Sequence, residues 1–242
     1  MTFALILPTF NEIDGMRWCV PKIDRSLFKE IILVDGGSTD GTFEYATDEG
    51  LTALRQPGSG LTDAEEFAFA NMSADAFLIF TPDGNSLPEV LPAVCDEIRK
   101  GHDMVIASRY IKGAKSEDDD CLTSFGNWMF TSTINFLFNA RYTDSLVAYR
   151  AITRDAILQM KLPEMTKPRF RAYFPRMNSW ETGSSIRAAL LKLRVSEIPG
   201  DEPKRIGGVR KMSVVKNGLG VLFQIFYDFF FFHPHVMGQS GN

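Results

Sequence analysis

The sequence predicts an α/β domain built on a doubly wound, mainly parallel sheet. Three observations predict it: short apolar runs without alternation, helix-like stretches between them, and polar turns where the runs end. Strands covered on both faces read as continuous apolar runs because neither face meets water. At 242 residues, 45% hydrophobic and 23% charged, the chain fits one large domain better than two small ones.

The elements follow in order. "FALILP" (3–8) is the first strand and runs into Thr9-Phe10-Asn11-Glu12. "EIILVD" (30–35) is the second and ends at Gly36-Gly37-Ser38-Thr39-Asp40, where Ser38 or Asp40 would cap the helix-like stretch 40–50. "LTDAEEFAFANMSA" (61–74) reads as a helix, and "AFLIF" (76–80) as a buried strand that stops at Thr81-Pro82-Asp83-Gly84-Asn85. "PEVLPAVCDEIRKG" (88–101) carries acids early, bases late and a closing glycine, as a helix dipole favours. "DMVIAS" (103–108) is a strand ending at Ser108-Arg109, and "KSEDDD" (115–120) reads as a solvated acidic loop. In such sheets ligands bind outside the carboxyl ends of the strands, so four polar strand ends are expected to converge on one edge.

Two apolar stretches lie further on. "MFTSTINFLF" (129–138) is helix-like, and "GLGVLFQIFYDFFFF" (218–232) is about fifteen residues long and contains Asp228, short of the roughly twenty needed to span a bilayer. Each reads either as an interfacial helix or as one packed on the core or on a second copy; Lys211 and Lys216 before the second would meet anionic headgroups. The catalytic domain is expected over 1–212, with 213–242 as a C-terminal apolar helical extension.

Composition narrows the class. A net charge of -4 gives no whole-chain attraction to nucleic acid, although bases gather in "PKRIGGVRK". Cys19, Cys95 and Cys121 are far apart and lack metal-ligand spacing, which points to a reducing compartment. "MTFALILPTF" has no basic n-region, so a cytoplasmic protein is expected, free or peripheral on the inner face of the membrane. Neither GxxxxGK[ST] nor GxGxxG occurs, so any nucleotide is held by other loops. Taken singly, Asp35-Gly36-Gly37 reads equally well as a helix-capping turn, whereas a plain turn is the lesser reading of "PDGN". Recurrence on neighbouring strands favours a site.

"LILPTFNE", "IILVDGGSTDGT", "PDGNSLPE", "VIASRYIKGA", "YTDSLVAYRAI" and "RIGGVRK" stand in the order seen in family 2 glycosyltransferases of the GT-A fold. The chain resembles that family over nearly its whole length, in particular the dolichol-phosphate mannosyltransferase and polyprenyl-phosphate glycosyltransferase branch. The resemblance implies that Pro8, Asn11, Glu12 and Asp35, with Gly37 and Ser38, hold the nucleoside of a nucleotide sugar. Asp83 and Asn85 fall on the family's metal-binding turn, with Thr81 where a first acid would stand. One Asp with Asn85 and water suits Mg2+ or Mn2+, at reduced affinity. Arg205 and Lys211 match the cations that neutralise the leaving diphosphate, with Gly208 on the family's glycine and Arg210 in place of its serine. Arg109, Asp144 and Ser145 match positions near donor and acceptor sugar.

On the acceptor side, the arginine that usually grips an acceptor phosphate is replaced by the stretch containing Asn127 and Trp128. Glu181 is the candidate base for a hydroxyl acceptor, or equally an acid in a first helical turn; Gly183 stands where a second acid is common. A phosphate acceptor, already ionised, needs no base. The resemblance implies an inverting transfer from a UDP- or GDP-sugar to a polyprenyl-phosphate or saccharide acceptor, in cell-envelope polysaccharide or glycolipid synthesis. Two other classes stand beside it. A catalytically degenerate nucleotide-binding protein of the same fold would account for Thr81 and Gly183. A sugar nucleotidyltransferase would need a Gly-rich, Arg-containing loop that "LPTFNEIDG" lacks.

Overall fold

A computed structural model describes residues 1–165, 179–207 and 214–232, with backbone alone at 214 and 215. Its elements run β1 (Phe3–Thr9), α1 (Ile13–Cys19), β2 (Glu30–Asp35), α2 (Thr42–Asp48), β3 (Thr52–Arg55), α3 (Leu61–Asn71), β4 (Ala76–Ile79), α4 (Leu91–Arg99), β5 (Met104–Ser108), α5 (Cys121–Phe138), β6 (Arg150–Thr153), α6 (Arg154–Gln159), α7 (Trp180–Leu190), β7 (Val195–Pro199) and α8 (Val214–Phe231). The strands form one seven-stranded sheet in the order β3-β2-β1-β4-β6-β5-β7.

The side chains of β1 alternate between two cores, as the strand period of two requires. Ala4 and Ile6 join Phe77, Ile79, Ile106 and Ile152 beneath α3, α5, α6 and α7. Phe3, Leu5 and Leu7 join Leu33, Leu78, Phe80 and Val105 beneath α1, α2 and α4. With both faces covered, the central strands β1, β2, β4 and β5 had to be largely apolar. This is the pattern that made these four legible.

Every pairing is parallel except those of β6, which runs antiparallel to β4 and β5. Arg150, the first residue of β6, pairs with Ile79 and Ile106 near the carboxyl ends of their strands. The segment leading into β6, which carries Asp144 and Ser145, therefore arrives at the edge where β1, β2, β4 and β5 end.

Two helices differ from expectation in length. The stretch expected over 129–138 begins at Cys121, because the Asp120 carboxylate accepts a 2.7 Å hydrogen bond from the Thr123 N–H and caps it. The helix stops at Asn139, whose left-handed φ of 53° takes the chain out of the helix. In α8, Asp228 faces inward and pairs with Arg187 of α7 at 2.9 Å, both side chains being almost fully buried. An acid inside an apolar stretch thus anchors α8 to the core. No helix among the described residues is long and apolar enough to cross a membrane.

Candidate active site

At the carboxyl edge of β4, Asp83 is buried, and its Oδ2 lies 2.7 Å from Arg205 Nη1. Glu12, which follows β1, is also buried and places Oε1 3.4 Å from the same nitrogen. Two carboxylates from different strand ends thus converge on one cation. Burial pushes the Asp83 carboxyl up to about 6, while Arg205 and the Asn85 N–H, 3.2 Å from Oδ1, act against that rise. Thr81, in the place of the expected first acid, is neutral and lies 3.3 Å from the Ser86 hydroxyl.

Close packing fixes this turn. A Cβ on Gly15 of α1 would stand 2.2 Å from the Pro82 carbonyl oxygen and 2.8 Å from Asp83 Cα, so only glycine lets the helix approach. From the other side, the Ile206 N–H donates to the Asp83 carbonyl at 2.9 Å. The segment carrying Arg205 is thereby tied to the turn it neutralises. Among the described residues no three His, Cys, Asp or Glu side chains form a metal cluster. Lys211, Gly208 and Arg210 lie outside the described residues.

The first two strand ends are laced together. The Asn11 N–H donates to Ser38 Oγ at 2.8 Å, the Asn11 side chain accepts from the Thr39 N–H at 2.8 Å, and the Glu12 N–H donates to Thr42 Oγ1 at 3.0 Å. Asn11 takes a left-handed φ of 54°, and Gly37 one of 96°. Asp35 is fully buried and accepts from the Gly37 and Ser38 N–H groups, the Ser38 hydroxyl and, at 2.8 Å, Arg55 Nη1. Asp35, expected to hold a nucleoside, directs its carboxylate into the turn and shapes it, while Gly36, Gly37, Thr39 and Asp40 are exposed to solvent. Pro8 is half-buried at the end of β1.

A second cluster surrounds Arg109 at the end of β5. Its Nε and Nη2 grip Asp144 as a fork at 2.6 and 3.1 Å, Nη1 lies 3.3 Å from Glu202, and Asp119 is 4.0 Å away. Burial works to lower the Arg109 pKa, but Asp144, then Glu202 and Asp119, hold the guanidinium firmly charged. Within 115–120, read as a solvated loop, Lys115, Glu117 and Asp120 are exposed, while Asp119 departs from that reading with a side chain only 4% exposed. Ser145 is fully buried, with its hydroxyl 2.9 Å from that of Thr131, so it packs inside rather than facing a sugar. Glu202 lies on the segment that also bears Arg205, so one stretch of chain serves both clusters.

The family model "Glycosyl transferase family 2" matches residues 4–159, most of the chain. The chain belongs to glycosyl transferase family 2. It is 27% identical over 229 residues to glycosyltransferase AglJ of Haloferax volcanii, covering 93% of this chain and 70% of that one. It is 33% identical over 126 residues to the dolichol-phosphate mannosyltransferase of Pyrococcus furiosus, covering 49% of this chain and only 36% of that longer protein. Against the polyprenol monophosphomannose synthase of Mycolicibacterium smegmatis the identity is 24%, over 86% of this chain and 80% of the relative. Glucosyl-3-phosphoglycerate synthase from Mycobacterium tuberculosis, solved in complex with Mn2+, UDP and phosphoglyceric acid, shares the fold at a TM-score of 0.66 and 16% identity, over 99% of this chain and 80% of that one. The protein is a glycosyltransferase of the GT-A fold.

In this family member a third cluster is wholly internal. The guanidinium of Arg150 is fully buried and donates to the Glu181 carbonyl at 2.8 Å and to the Ser184 and Ser185 hydroxyls at 2.8 and 3.1 Å. Glu181 sits in the first turn of α7, whose N-cap is Ser179. One oxygen of Glu181 accepts from the Ser179 hydroxyl, and the other is buried without a partner. Glu65 of α3, also fully buried, faces it with both oxygens lacking partners. Desolvation, and then the neighbouring charge of Glu181, push the Glu65 carboxyl well above the ordinary range. Two facing acceptors cannot satisfy each other when both are ionised; one proton between them would pair one oxygen of each. Sequence reading missed Glu65, Arg150 and Arg55. The signal for Arg150 was a charge at the head of an apolar run, "RAIT".

Proposed function

We propose that the protein transfers a hexose from a nucleoside-diphosphate sugar, UDP- or GDP-linked, to a polyprenyl phosphate, with inversion at the anomeric carbon. The observation that carries this reading is the meeting of Asp83 and Glu12 on Arg205 at the carboxyl edge of the sheet, where a diphosphate and its counter-ions would lie. The names of the relatives, dolichol-phosphate mannosyltransferase and polyprenol monophosphomannose synthase, support a lipid-phosphate acceptor.

The turns after β1 and β2 bind the nucleoside in this reading, with Pro8 and Asn11 on one side and the backbone of Gly37 and its neighbours, shaped by Asp35 and Ser38, on the other. Asp83 and the Asn85 side chain are hard oxygen donors of the kind Mg2+ and Mn2+ take, and the buried carboxylate already attracts a cation, so the residues fit such an ion. A bound divalent ion offsets the charge that grows on the diphosphate as its bond to the sugar breaks. Arg205 and Lys211 share that role, and Arg109, held by Asp144, lines the sugar side. An oxygen of the acceptor phosphate attacks C1, the bond from C1 to the diphosphate oxygen breaks, and the nucleoside diphosphate leaves. No proton is removed. With a saccharide hydroxyl as acceptor, Glu181 is the group that would take one.

The lipid reading also accounts for the surface. Apart from Met1, Phe10 and Leu158, the large apolar side chains exposed among the described residues lie on α5 and α8, including Phe125, Trp128, Phe136, Phe226 and Phe230. These helices touch each other, and exposed Lys216 lies near the start of α8. Aromatic side chains with a basic neighbour suit the headgroup boundary of an anionic bilayer, approached from the cytoplasmic side.

The test is transfer itself: the full chain with Mn2+, a short polyprenyl phosphate and UDP- or GDP-hexoses, with product configuration read by NMR. Inverted glycosyl lipid is expected from one donor, and Asp83→Ala should abolish turnover while keeping the circular dichroism of the fold. Donor binding without transfer under any metal would favour the degenerate reading that Thr81 suggests. Full activity in Asp83→Ala would remove the metal assignment.

A further inference from the structure

We propose that Arg205 is a built-in occupant of the divalent-cation position, and that Glu12 is the second carboxylate of that position, supplied in space where Thr81 fails to supply it in sequence. This rests on the metal-assisted reading above and deepens it at the same site.

The geometry is specific. A single nitrogen, Arg205 Nη1, lies 2.7 Å from Asp83 and 3.4 Å from Glu12, the two carboxylates coming from the ends of β4 and β1. Their side chains are each only 8% exposed, so water screens them little. Arg205 brings one positive charge to a point shared by two buried carboxylates, whereas a divalent ion brings two and suits their hard oxygen atoms, so it is the stronger occupant of the same place.

The arginine is not locked there. Its side chain is 20% exposed, and its Nε is buried without a hydrogen-bond partner, so leaving the acids breaks no bond at that atom. What is fixed is the backbone beside it: the Ile206 N–H holds the Asp83 carbonyl at 2.9 Å, and a Cβ on Gly84 would meet the Ile206 side chain at 2.6 Å. The root of Arg205 therefore stays at the turn while its long side chain swings. When a divalent ion arrives with the donor diphosphate, the guanidinium is displaced from Asp83 and Glu12 towards the phosphates that enter beside it. Arg205 thus offsets part of the carboxylate charge when the site is empty and resists binding of the ion alone.

The test needs neither sugar nor turnover. Mn2+ is titrated into the full chain without nucleotide, and the free-ion signal is followed by electron paramagnetic resonance, with thermal midpoints as a check on folding. Arg205→Gln should bind Mn2+ about tenfold more tightly than wild type, the scale of one charge-assisted contact. Arg205→Lys keeps a cation at the position and should stay within a few-fold of wild type. Adding Glu12→Gln to Arg205→Gln should remove the gain. Unchanged or weaker Mn2+ binding in Arg205→Gln would overturn the displaced-cation role; a gain that survives Glu12→Gln would overturn the assignment of Glu12. Failure of sugar transfer would count against the proposed function and leave this readout intact.

Discussion

Glu65 shows how much one buried atom pair can say. Its carboxyl faces Glu181 with both oxygens unpartnered, and desolvation raises its pKa well above 4.5. Below the unfolded value both states hold the proton and Glu65 is neutral in its effect. As pH rises past about 4.5, the unfolded chain loses its proton while the folded one retains it, so the stability contributed by this residue falls with rising pH. Glu65→Gln removes that dependence. Its thermal midpoint should exceed wild type at pH 8 and match it near pH 4, by roughly 2–4 °C for each kcal/mol recovered. An equal shift at both pH values would show that Glu65 carries no retained proton. The sequence analysis read 61–74 as a helix without singling out Glu65, because burial is decided by what packs over a residue. Asp35 and Glu12 were legible as polar residues at strand ends on the carboxyl edge. Which partner each would take, Arg55 for one and Arg205 for the other, lay 20 and 193 residues away.

At the scale of elements, α1 is the piece the sequence concealed. It has seven residues, and its glycine weakens any helical pattern. That glycine is nevertheless what lets α1 rest on the Asp83 turn. Gly15→Ala should cost about 1–3 kcal/mol through overpacking and displace Asp83, so a lowered thermal midpoint should accompany weaker nucleotide binding. An unchanged midpoint would mean that α1 has room to withdraw. β3 and β7 were missed for a related reason: as edge strands they are short and half-exposed, so they lack the unbroken apolar run of a central strand. β6 was missed because it opens on an arginine. Its antiparallel course cannot be read from composition, yet it carries Asp144 to the edge where Arg109 waits.

For the whole molecule, the exposed aromatic face of α5 and α8 sets the strongest expectation. Each Phe or Trp that enters a bilayer contributes about 1.5–3 kcal/mol, so Trp128→Glu combined with Phe226→Glu should reduce co-sedimentation with phosphatidylglycerol vesicles more than tenfold. Equal sedimentation would assign the face to a second copy or another protein. The sequence by itself determined the fold class and the edge that carries the chemistry, because strands buried on both faces must be apolar and must end in polar turns. It also showed a neutral Thr81 where the resemblance puts the first acid of a metal-binding turn. Only the tertiary structure decided which carboxylate lies beside Asp83. Glu12, Asp83 and Arg205 are brought together by three separate turns, and electrostatic attraction depends on distance in space, which spacing along the chain does not encode.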